Sequence, residues 1–384
     1  MNSDDRVCQL VCRETQARYS WREPLWRSPA GAFLDLELDA RFDRARIAAR
    51  RPTLWRYREA LPSVADEHVV SFDEGFTPLI EQRILGRRVL LKCDHLFQTG
   101  SYKDRGAALM ISVARELGIR HVVEDSSGNA GAAVAAYCAR AGLACDIYVP
   151  AENSPGKLLQ IKLYGARLRP VAGTRETVAA AAWQAAQGAY YASHVWNPFF
   201  FHGVKTFVFE LVEQLGWQAP DAIVVPTGNG TLLYGALLGL RELRAAGLID
   251  RLPRMVAVQA AACAPLVQAW RDGSRAAAPV APAPTAAEGI AIANPMRAAD
   301  CLAAVRETDG LFIAVDEGEI WSALRAAASH GLFIEPTSAA ALAALNHLDA
   351  APDDRVVVVL TGHGLKASDT IRQFARTARE PRAE

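Results

Sequence analysis

A lysine at the start of a predicted helix is the first residue whose position could support chemistry. Lys103 lies in TGSYKDRG, residues 99–106, directly after a Gly-Ser turn. The amide groups of a helix start and partial burial both disfavour a positive charge, so the amine can be neutral. A neutral lysine amine can bond to a carbonyl carbon. The alternative is a solvated lysine paired with Asp104 or Glu74.

A second motif, SSGNAG at residues 126–131, follows an apolar strand and opens a helix. Small residues at a helix start expose amide groups that bind a carboxylate. The side chain of Asn129 projects from the same turn, and its amide can hydrogen-bond an oxygen of a bound ring. The alternative is a plain strand-to-helix turn. The candidate carboxylate ligands are Ser126, Ser127, Gly128 and Ala130.

A third motif, VVPTGNGTLLYG at residues 224–235, joins another apolar strand to a helix. Its turn consists of Gly228, Asn229, Gly230 and Thr231. Glycines let the backbone close on a phosphate, and the helix start adds positive potential. The turn lacks the Lys-Ser/Thr ending of a P-loop and the spacing of the dinucleotide fingerprint. It therefore predicts a site for one small phosphate group.

The fourth motif is VVVVLTGHGLK, residues 356–366, a buried strand followed by polar residues. Ligands of open α/β sheets lie at the carboxyl ends of strands, so Thr361 and His363 are candidates to face a site. An ordinary turn residue is the favoured interpretation for His363.

Short apolar strands alternating with Ala-rich helices must position these motifs from about residue 72 onward, which predicts an α/β fold with parallel sheets. Residues 1–70 are rich in Arg and Trp without a long periodic element, which suggests an extension that covers a neighbouring surface. The Pro/Ala segment 276–288 predicts a surface loop. The clearest elements are a strand at 121–124, a helix at 129–141, a strand at 144–149, a helix at 156–164 and a strand at 167–171.

Composition excludes several classes of partner. The 42 basic and 42 acidic side chains cancel, so nothing draws the chain to nucleic acid or an anionic membrane. No apolar run approaches the length of a membrane span, and MNSDD lacks the features of a secretory signal. The seven cysteines are scattered, as expected for a reducing compartment, and Cys8 and Cys12 lack a second pair to bind zinc. We expect a cytoplasmic protein with a small-molecule substrate and no metal.

Taken together and in this order, the four motifs resemble those of pyridoxal-phosphate enzymes of the tryptophan-synthase-β fold type, and most closely the threonine synthase family. The similarity extends from FDEGFTPLI at residue 72 through TGHGLKASDT and includes EPTSAAALAAL at 335–345. GSYKDRG resembles the cofactor-lysine motif, with Tyr102 in place of Phe. The resemblance implies two open, twisted parallel-sheet domains with flanking helices.

The implied domain bounds follow the motifs. They are an N-terminal extension at 1–70, a large cofactor-binding domain at 71–105 and 201–375, a small substrate-carboxylate domain at 106–200, and a C-terminal tail at 376–384.

The resemblance also implies the cofactor, pyridoxal 5'-phosphate, and roles for single residues. Lys103 would bond to the cofactor aldehyde and later move the Cα proton of the substrate. Asn129 would contact the ring hydroxyl, and the amides of residues 228–231 would anchor the phosphate. Thr361 would face the ring nitrogen. A hydroxyl group cannot protonate that nitrogen as a carboxylate would, which favours elimination and replacement over transamination.

One departure from the family concerns the substrate. In SHVWNPFFFHGVKT, residues 193–206, Phe200 stands where threonine synthases carry an arginine that binds the substrate phosphate. Phenylalanine offers no donors to a phosphate. Lys205 matches the family pattern and is the second predicted substrate-binding residue of this segment. His194, His202 or Lys157 could compensate for the missing arginine. The alternatives are an apolar pocket for another substrate, or phenylalanines at 199–201 that simply pack in the core.

These observations predict a threonine synthase-like lyase that converts O-phosphohomoserine and water to threonine and phosphate. The alternative enzyme is a dehydratase, or ammonia-lyase, acting on threonine, serine or a bulkier β-hydroxy amino acid, or another β-replacement enzyme. The non-enzyme alternative is a catalytically silent metabolite-binding homologue. The resemblance and the aromatic N-terminal segment also suggest a homodimer.

Overall fold

A computed structural model of the chain describes residues 6–152 and 155–377, and internal contacts divide it into two compact units. The first unit comprises the chain up to Phe76 together with Phe97–Gln218 and Gly235–Arg251. The second comprises Thr77–Leu96, Ala219–Tyr234 and the chain from Leu252 onward.

The first unit begins with a small antiparallel sheet of order β2-β1-β3. Its strands are β1 (Cys8–Cys12), β2 (Arg18–Ser20) and β3 (Leu34–Leu38), and helix α1 (Arg44–Ala49) follows. No element was predicted here, although LDLEL in β3 alternates apolar and acidic residues as a half-buried strand does.

Aromatic residues of this N-terminal segment are buried within their own unit. The ring of Trp26 lies 4.9 Å from that of Tyr191 and 5.9 Å from that of Trp196, and Trp21 lies 6.4 Å from Phe199. The surface that the segment covers is therefore its own chain, so these aromatic residues do not support the prediction of a partner-covering surface.

A four-stranded parallel sheet of order β8-β7-β6-β9 forms the middle of the first unit. The predicted alternation of strands and helices is confirmed within two residues at each end. The elements are β6 (His121–Glu124), α3 (Asn129–Ala141), β7 (Ala144–Pro150), α4 (Pro155–Leu163), β8 (Arg167–Val171), α5 (Arg175–Ala185) and β9 (Tyr190–Tyr191). Three further helices are α2 (Lys103–Glu116), α6 (Pro198–Val204) and α7 (Thr206–Gln214).

The second unit contains a six-stranded sheet of order β12-β11-β10-β13-β5-β4, parallel except for the antiparallel edge strand β4. Continuous apolar runs such as Val356–Val359 are buried, as expected for strands covered on both faces. The strands are β4 (Leu79–Ile84), β5 (Arg87–Lys92), β10 (Ala222–Pro226), β11 (Arg254–Ala260), β12 (Leu311–Val315) and β13 (Val356–Val359). The α/β class with two mainly parallel sheets is confirmed.

The remaining helices are α8 (Thr231–Ala245), α9 (Pro265–Arg271), α10 (Ala298–Glu307), α11 (Glu317–Ser329), α12 (Pro336–Ala343) and α13 (Ser368–Thr377). Residues 276–287 form the predicted loop, which is largely exposed. In the part of the chain that the structure describes, no helix is long and apolar enough to cross a membrane.

The two units do not share the bounds of the predicted domains. Segments 201–218 and 235–251, assigned to the large domain from the sequence, have most of their contacts with the first unit. Most of the predicted tail, 376–384, lies outside the described residues.

Candidate active site

Lys103 is the first residue of α2, and a compact turn precedes it. The carboxylate of Asp104 accepts a hydrogen bond of 3.0 Å from the Thr99 amide and another from the Thr99 hydroxyl. Gly100 within the turn has a φ of 80°, which glycine adopts without strain. Asp104 therefore folds the turn that positions Lys103.

The amine of Lys103 lies among aromatic rings. Its Nζ is 4.9 Å from the ring centre of Tyr102 and 5.7 Å from that of Phe200. The alternative of an ion pair with Asp104 or Glu74 is wrong, because no ion pair of Lys103 occurs among the described residues. The carboxylate of Glu74 instead accepts hydrogen bonds from backbone and side-chain groups of its own neighbourhood.

Burial lowers the pKa of Lys103 to about 7. The negative charge of Glu124 opposes this shift, and the positive charge of Arg175 adds to it. A substantial fraction of the amine is consequently neutral near pH 7, as bond formation with an aldehyde requires.

The SSGNAG turn joins β6 to α3 in the same unit. Ser126 is buried, Ser127 and Asn129 are half-buried, and Gly128 is exposed. Ser126 Oγ accepts a hydrogen bond of 3.3 Å from the Gly128 amide. The first turn of a helix has no intrahelical acceptors for its amides, so this turn retains donors for a carboxylate.

Two carboxyl groups that were not singled out from the sequence precede this turn: the fully buried Glu124, which ends β6, and the half-buried Asp125, which follows it. Glu124 Oε1 lies 2.9 Å from His194 Nδ1, and Asp125 Oδ1 accepts a hydrogen bond of 2.8 Å from the Tyr191 hydroxyl. Burial raises the pKa of both carboxyl groups. The sequence signal was two acidic residues at the end of an apolar strand.

Phe200 is fully buried in α6, as are its neighbours Phe199 and Phe201. A Cβ atom on Gly106 of α2 would lie only 2.3 Å from the Phe200 ring, so the ring fills the space that this glycine leaves. The phenylalanines do pack in the core, yet Phe200 is also adjacent to the Lys103 amine.

Lys205 is not placed to bind a substrate. Its side chain is fully buried, and its Nζ lies 2.7 Å from Glu242 Oε1 and 2.9 Å from His202 Nδ1. This ion pair argues against the predicted substrate contact. The side chain of Lys157 lies outside the described residues.

In the second unit, the glycine turn 228–231 connects β10 to α8. Gly230 has a φ of +84°, and a Cβ there would lie 1.9 Å from Cys301 Sγ. A Cβ on Gly228 would lie 2.9 Å from a side-chain carbon of Ile292. Asn229 is half-buried and Thr231 is buried at the start of α8. The backbone can approach a small anion only because both positions lack a side chain.

Thr361 follows β13 and is buried beside a second hydroxyl group that sequence analysis did not assign. Ser338 Oγ lies 3.2 Å from Thr361 Oγ1 and accepts hydrogen bonds from the amides of Thr361 and Gly362 at 2.9 and 3.0 Å. His363 accepts a hydrogen bond of 3.2 Å from the Leu365 amide, as a turn residue does.

Four residues thus come together in the first unit: Lys103, Glu124, His194 and Phe200. The SSGNAG turn follows the strand that Glu124 ends. The glycine turn and Thr361 lie in the second unit. No group of three His, Cys, Asp or Glu side chains in the described ranges could hold a metal ion.

Sequence relatives share most of the chain. The threonine synthase of Methanocaldococcus jannaschii is 33% identical over 387 residues, which cover 96% of this chain and 95% of the relative. The threonine synthase of Synechocystis is 39% identical over 325 residues, covering 82% of each chain.

Solved structures show the same fold. Maize serine racemase matches 79% of this chain and 92% of its own, with a TM-score of 0.67 and 21% identity. The threonine deaminase of T.th. matches 75% of this chain and 92% of its own, with a TM-score of 0.64 and 26% identity. A family model described as pyridoxal-phosphate dependent enzyme matches residues 70–362. The chain belongs to the family of pyridoxal-phosphate dependent enzymes.

Proposed function

We propose that this enzyme is a threonine synthase-like lyase that converts O-phosphohomoserine and water to threonine and phosphate. The observation that carries the proposal is the environment of Lys103, a lysine beside two aromatic rings whose pKa burial lowers to about 7. The named threonine synthases that match nearly the whole chain support the choice of substrate.

The residues present fit pyridoxal phosphate. An aldehyde needs a neutral amine, which Lys103 supplies, and a phosphate needs close backbone approach, which Gly228 and Gly230 permit because a Cβ at either position would collide with its surroundings. In our proposal Lys103 bonds to the cofactor, Asn129 contacts its ring hydroxyl, residues 228–231 bind its phosphate, and Thr361 faces the ring nitrogen. When bound, the cofactor withdraws electrons from the substrate and so acidifies its Cα–H bond.

The chain's own groups would then bind the substrate and move its protons. The amides of the SSGNAG turn bind the substrate carboxylate. Lys103 takes the Cα proton and returns it at the end, a role that its lowered pKa suits, because an effective base has a pKa near the working pH. The hydroxyl of Thr361 accepts or donates a hydrogen bond without adding a charge, and Ser338 holds its backbone amide.

Recognition of the substrate phosphate falls to Arg175 in this proposal. Arg175 is exposed at the first residue of α5, and its positive charge lowers the pKa values of Lys103, Asp125 and His194. The charge of Arg175 therefore reaches the groups around Phe200, where the residue itself supplies no cation. A guanidinium group binds phosphate with two parallel hydrogen bonds.

A second candidate function is an ammonia-lyase acting on β-hydroxy amino acids such as threonine or serine. The specific observation in its favour is Phe200, whose apolar ring lies beside Lys103 where the resemblance implies an arginine. The similarity to threonine deaminase agrees with this alternative.

Two assays on the holoenzyme separate the candidates. Equal amounts of threonine and phosphate from O-phosphohomoserine are expected. Oxo acid from threonine or serine without phosphate release would support the ammonia-lyase. A catalytically silent homologue predicts no product in either assay. Cofactor attachment is tested by reduction with borohydride, which should fix the cofactor covalently to Lys103 in the native chain and leave Lys103→Ala unlabelled.

The proposal also includes a cytoplasmic location and a homodimeric state. Light scattering of the purified protein tests the second point, and a mass of one chain would contradict it.

A further inference from the structure

A buried acid–imidazole pair lies in the same unit as Lys103 and has no part in the proposed steps so far. Glu124 is the last residue of β6 and is fully buried, and His194 is almost fully buried. Glu124 Oε1 contacts His194 Nδ1 at 2.9 Å, whereas Glu124 Oε2 is buried without a hydrogen-bond partner among the described residues. A buried carboxyl oxygen without a partner is costly unless it serves a function or a bound group completes it.

Contacts within the first unit connect this pair to the reacting lysine. The rings of His194 and Phe200 are 6.1 Å apart, and the Phe200 ring is 5.7 Å from Lys103 Nζ. The charge of Glu124 acts directly on Lys103, raising the pKa of the amine, while Lys103 lowers the pKa of Glu124 in return. Because carboxyl ends of parallel strands face the ligand in open α/β sheets, the position of Glu124 points to the substrate.

The protonation state of Glu124 suits an acid that also acts as a base. Burial, and then the negative charge of Asp125, raise the pKa of Glu124 well above its usual range. Burial and the positive charges of Lys103 and Arg175 lower the pKa of His194. His194 therefore favours its neutral form, while the raised pKa makes the Glu124 carboxylate a stronger base than an ordinary carboxylate and keeps its acid form to a higher pH.

We propose that Glu124 exchanges a proton with the oxygen atom at Cβ of the substrate and that His194 positions its carboxyl group. This inference rests on the proposed lyase function and adds the second acid–base group that such a reaction needs. Lys103 handles the Cα proton, so one group cannot serve both atoms at once.

The same proton transfer by Glu124 can serve the addition of water at Cβ and the reverse reaction, the loss of water. When water adds, its oxygen forms the bond to Cβ, and Glu124 takes one water proton. The electron pair of the Cα–Cβ double bond moves to Cα, which receives a proton from Lys103. When a hydroxyl group leaves Cβ, the carbon–oxygen bond breaks and Glu124 gives the proton that turns the departing oxygen into water. One residue therefore serves the synthase and the ammonia-lyase, as microscopic reversibility requires.

Three other carboxyl groups of the unit, those of Glu242, Glu74 and Asp125, do not fit this role. Glu242 pairs with Lys205, and the oxygens of Glu74 accept hydrogen bonds from its neighbours. Asp125 accepts a hydrogen bond from Tyr191. Glu242 nevertheless offers a matched control, because its Oε2 is also buried without a hydrogen-bond partner among the described residues.

The test compares two reactions of the same holoenzyme. Exchange of the Cα proton of L-2-aminobutyrate with deuterated water, followed by NMR, requires Lys103 but no event at Cβ oxygen. Turnover is measured as threonine from O-phosphohomoserine and as oxo acid from threonine. For Glu124→Gln we expect turnover to fall by about 100-fold or more while exchange changes by less than about threefold. Visible absorbance verifies cofactor loading.

The companion variants separate chemistry from folding. Glu242→Gln is expected to leave the ratio of turnover to exchange unchanged. Glu124→Asp retains a carboxyl group and should keep more turnover than Glu124→Gln, and His194→Ala should reduce turnover more than exchange. An equal loss of both reactions in Glu124→Gln and Glu124→Asp, or no loss in either, would overturn the inference alone. Native enzyme without turnover in either assay would overturn the proposed function and the inference together.

Discussion

The ring of Phe200 lies 5.7 Å from the amine of Lys103, and both residues belong to the same compact unit. The ring is fully buried and fits against Gly106, one turn further along the helix that Lys103 starts. Phe200 therefore helps to keep water away from Lys103, at a position where the related enzymes are expected to carry a cation. An arginine there would place a second positive charge beside the amine.

The pH dependence of cofactor attachment follows from the lowered pKa of Lys103. The free amine attacks an aldehyde only when neutral, so the rate of attachment to cofactor-free protein should fall as the pH drops through about 7. An unshifted lysine would show this fall near pH 10.5. Rapid-mixing absorbance measurements across this range give the midpoint.

A charge variant gives the sign of the same effect. Arg175→Gln should move the midpoint upward, because losing a positive charge favours the protonated amine. Identical midpoints in the native protein and in Arg175→Gln would contradict the proximity of this charge to Lys103.

The proposed phosphate contact of Arg175 predicts a selective loss of affinity. Arg175→Gln should raise the KM for O-phosphohomoserine by about 10- to 100-fold and change kcat less, since a hydrogen bond to a charged group is worth about 1.5–3 kcal/mol. The control is Arg167→Gln, which removes another exposed arginine, one whose Nε lies 2.5 Å from Asp146. An unchanged KM in Arg175→Gln would place phosphate recognition on other residues.

The sequence predicted what depends on local pattern. Continuous apolar runs such as Val356–Val359 and glycines after strands define the buried strands and the turns that follow them. The start of α2 at Lys103 was predicted for the same reason. The small strand β3 was missed although LDLEL alternates in polarity, because the surrounding Arg- and Trp-rich sequence obscures it.

Contacts between distant residues could not be predicted from spacing. Glu124 and His194 are 70 positions apart and meet only because β9 pairs with β6 and brings the chain back beside it. Lys205 illustrates the opposite error. Lys205 matches the family pattern, which suggested a substrate ligand. In the structure its amine instead forms an ion pair with the carboxylate of Glu242 in α8.

The buried ion pair predicts that Lys205 affects stability rather than substrate binding. Lys205→Met leaves the Glu242 carboxyl buried without its cation, which should cost about 3–5 kcal/mol of unfolding free energy. The double variant with Glu242→Gln should recover part of the loss, since it removes the unpaired charge. Urea unfolding measures both, and the KM for substrate should not change. If Lys205→Met raised the KM strongly and unfolded with native stability, Lys205 would be a substrate ligand after all.

The glycine turn of the second unit predicts a loss of cofactor affinity from one methyl group. In Gly230→Ala the new Cβ would lie 1.9 Å from Cys301 Sγ, and the residue would have to keep a φ of +84°. Backbone in that conformation costs a non-glycine residue about 1–2 kcal/mol, and the collision requires the turn or α10 to shift as well. The amides proposed to bind the cofactor phosphate would move with the turn.

Gly331→Ala provides the matched control, because Gly331 has a φ of +78° in the same unit and no atom within 4 Å of the position of its Cβ. Both variants carry the backbone penalty of about 1–2 kcal/mol in urea unfolding, and Gly230→Ala should lose more stability because of its collision with Cys301. Only Gly230→Ala should also weaken cofactor binding, measured as the Kd from titration of cofactor-free protein. Equal Kd values in the two variants would mean that the turn does not hold the phosphate, because a displaced backbone cannot preserve the same hydrogen bonds to it.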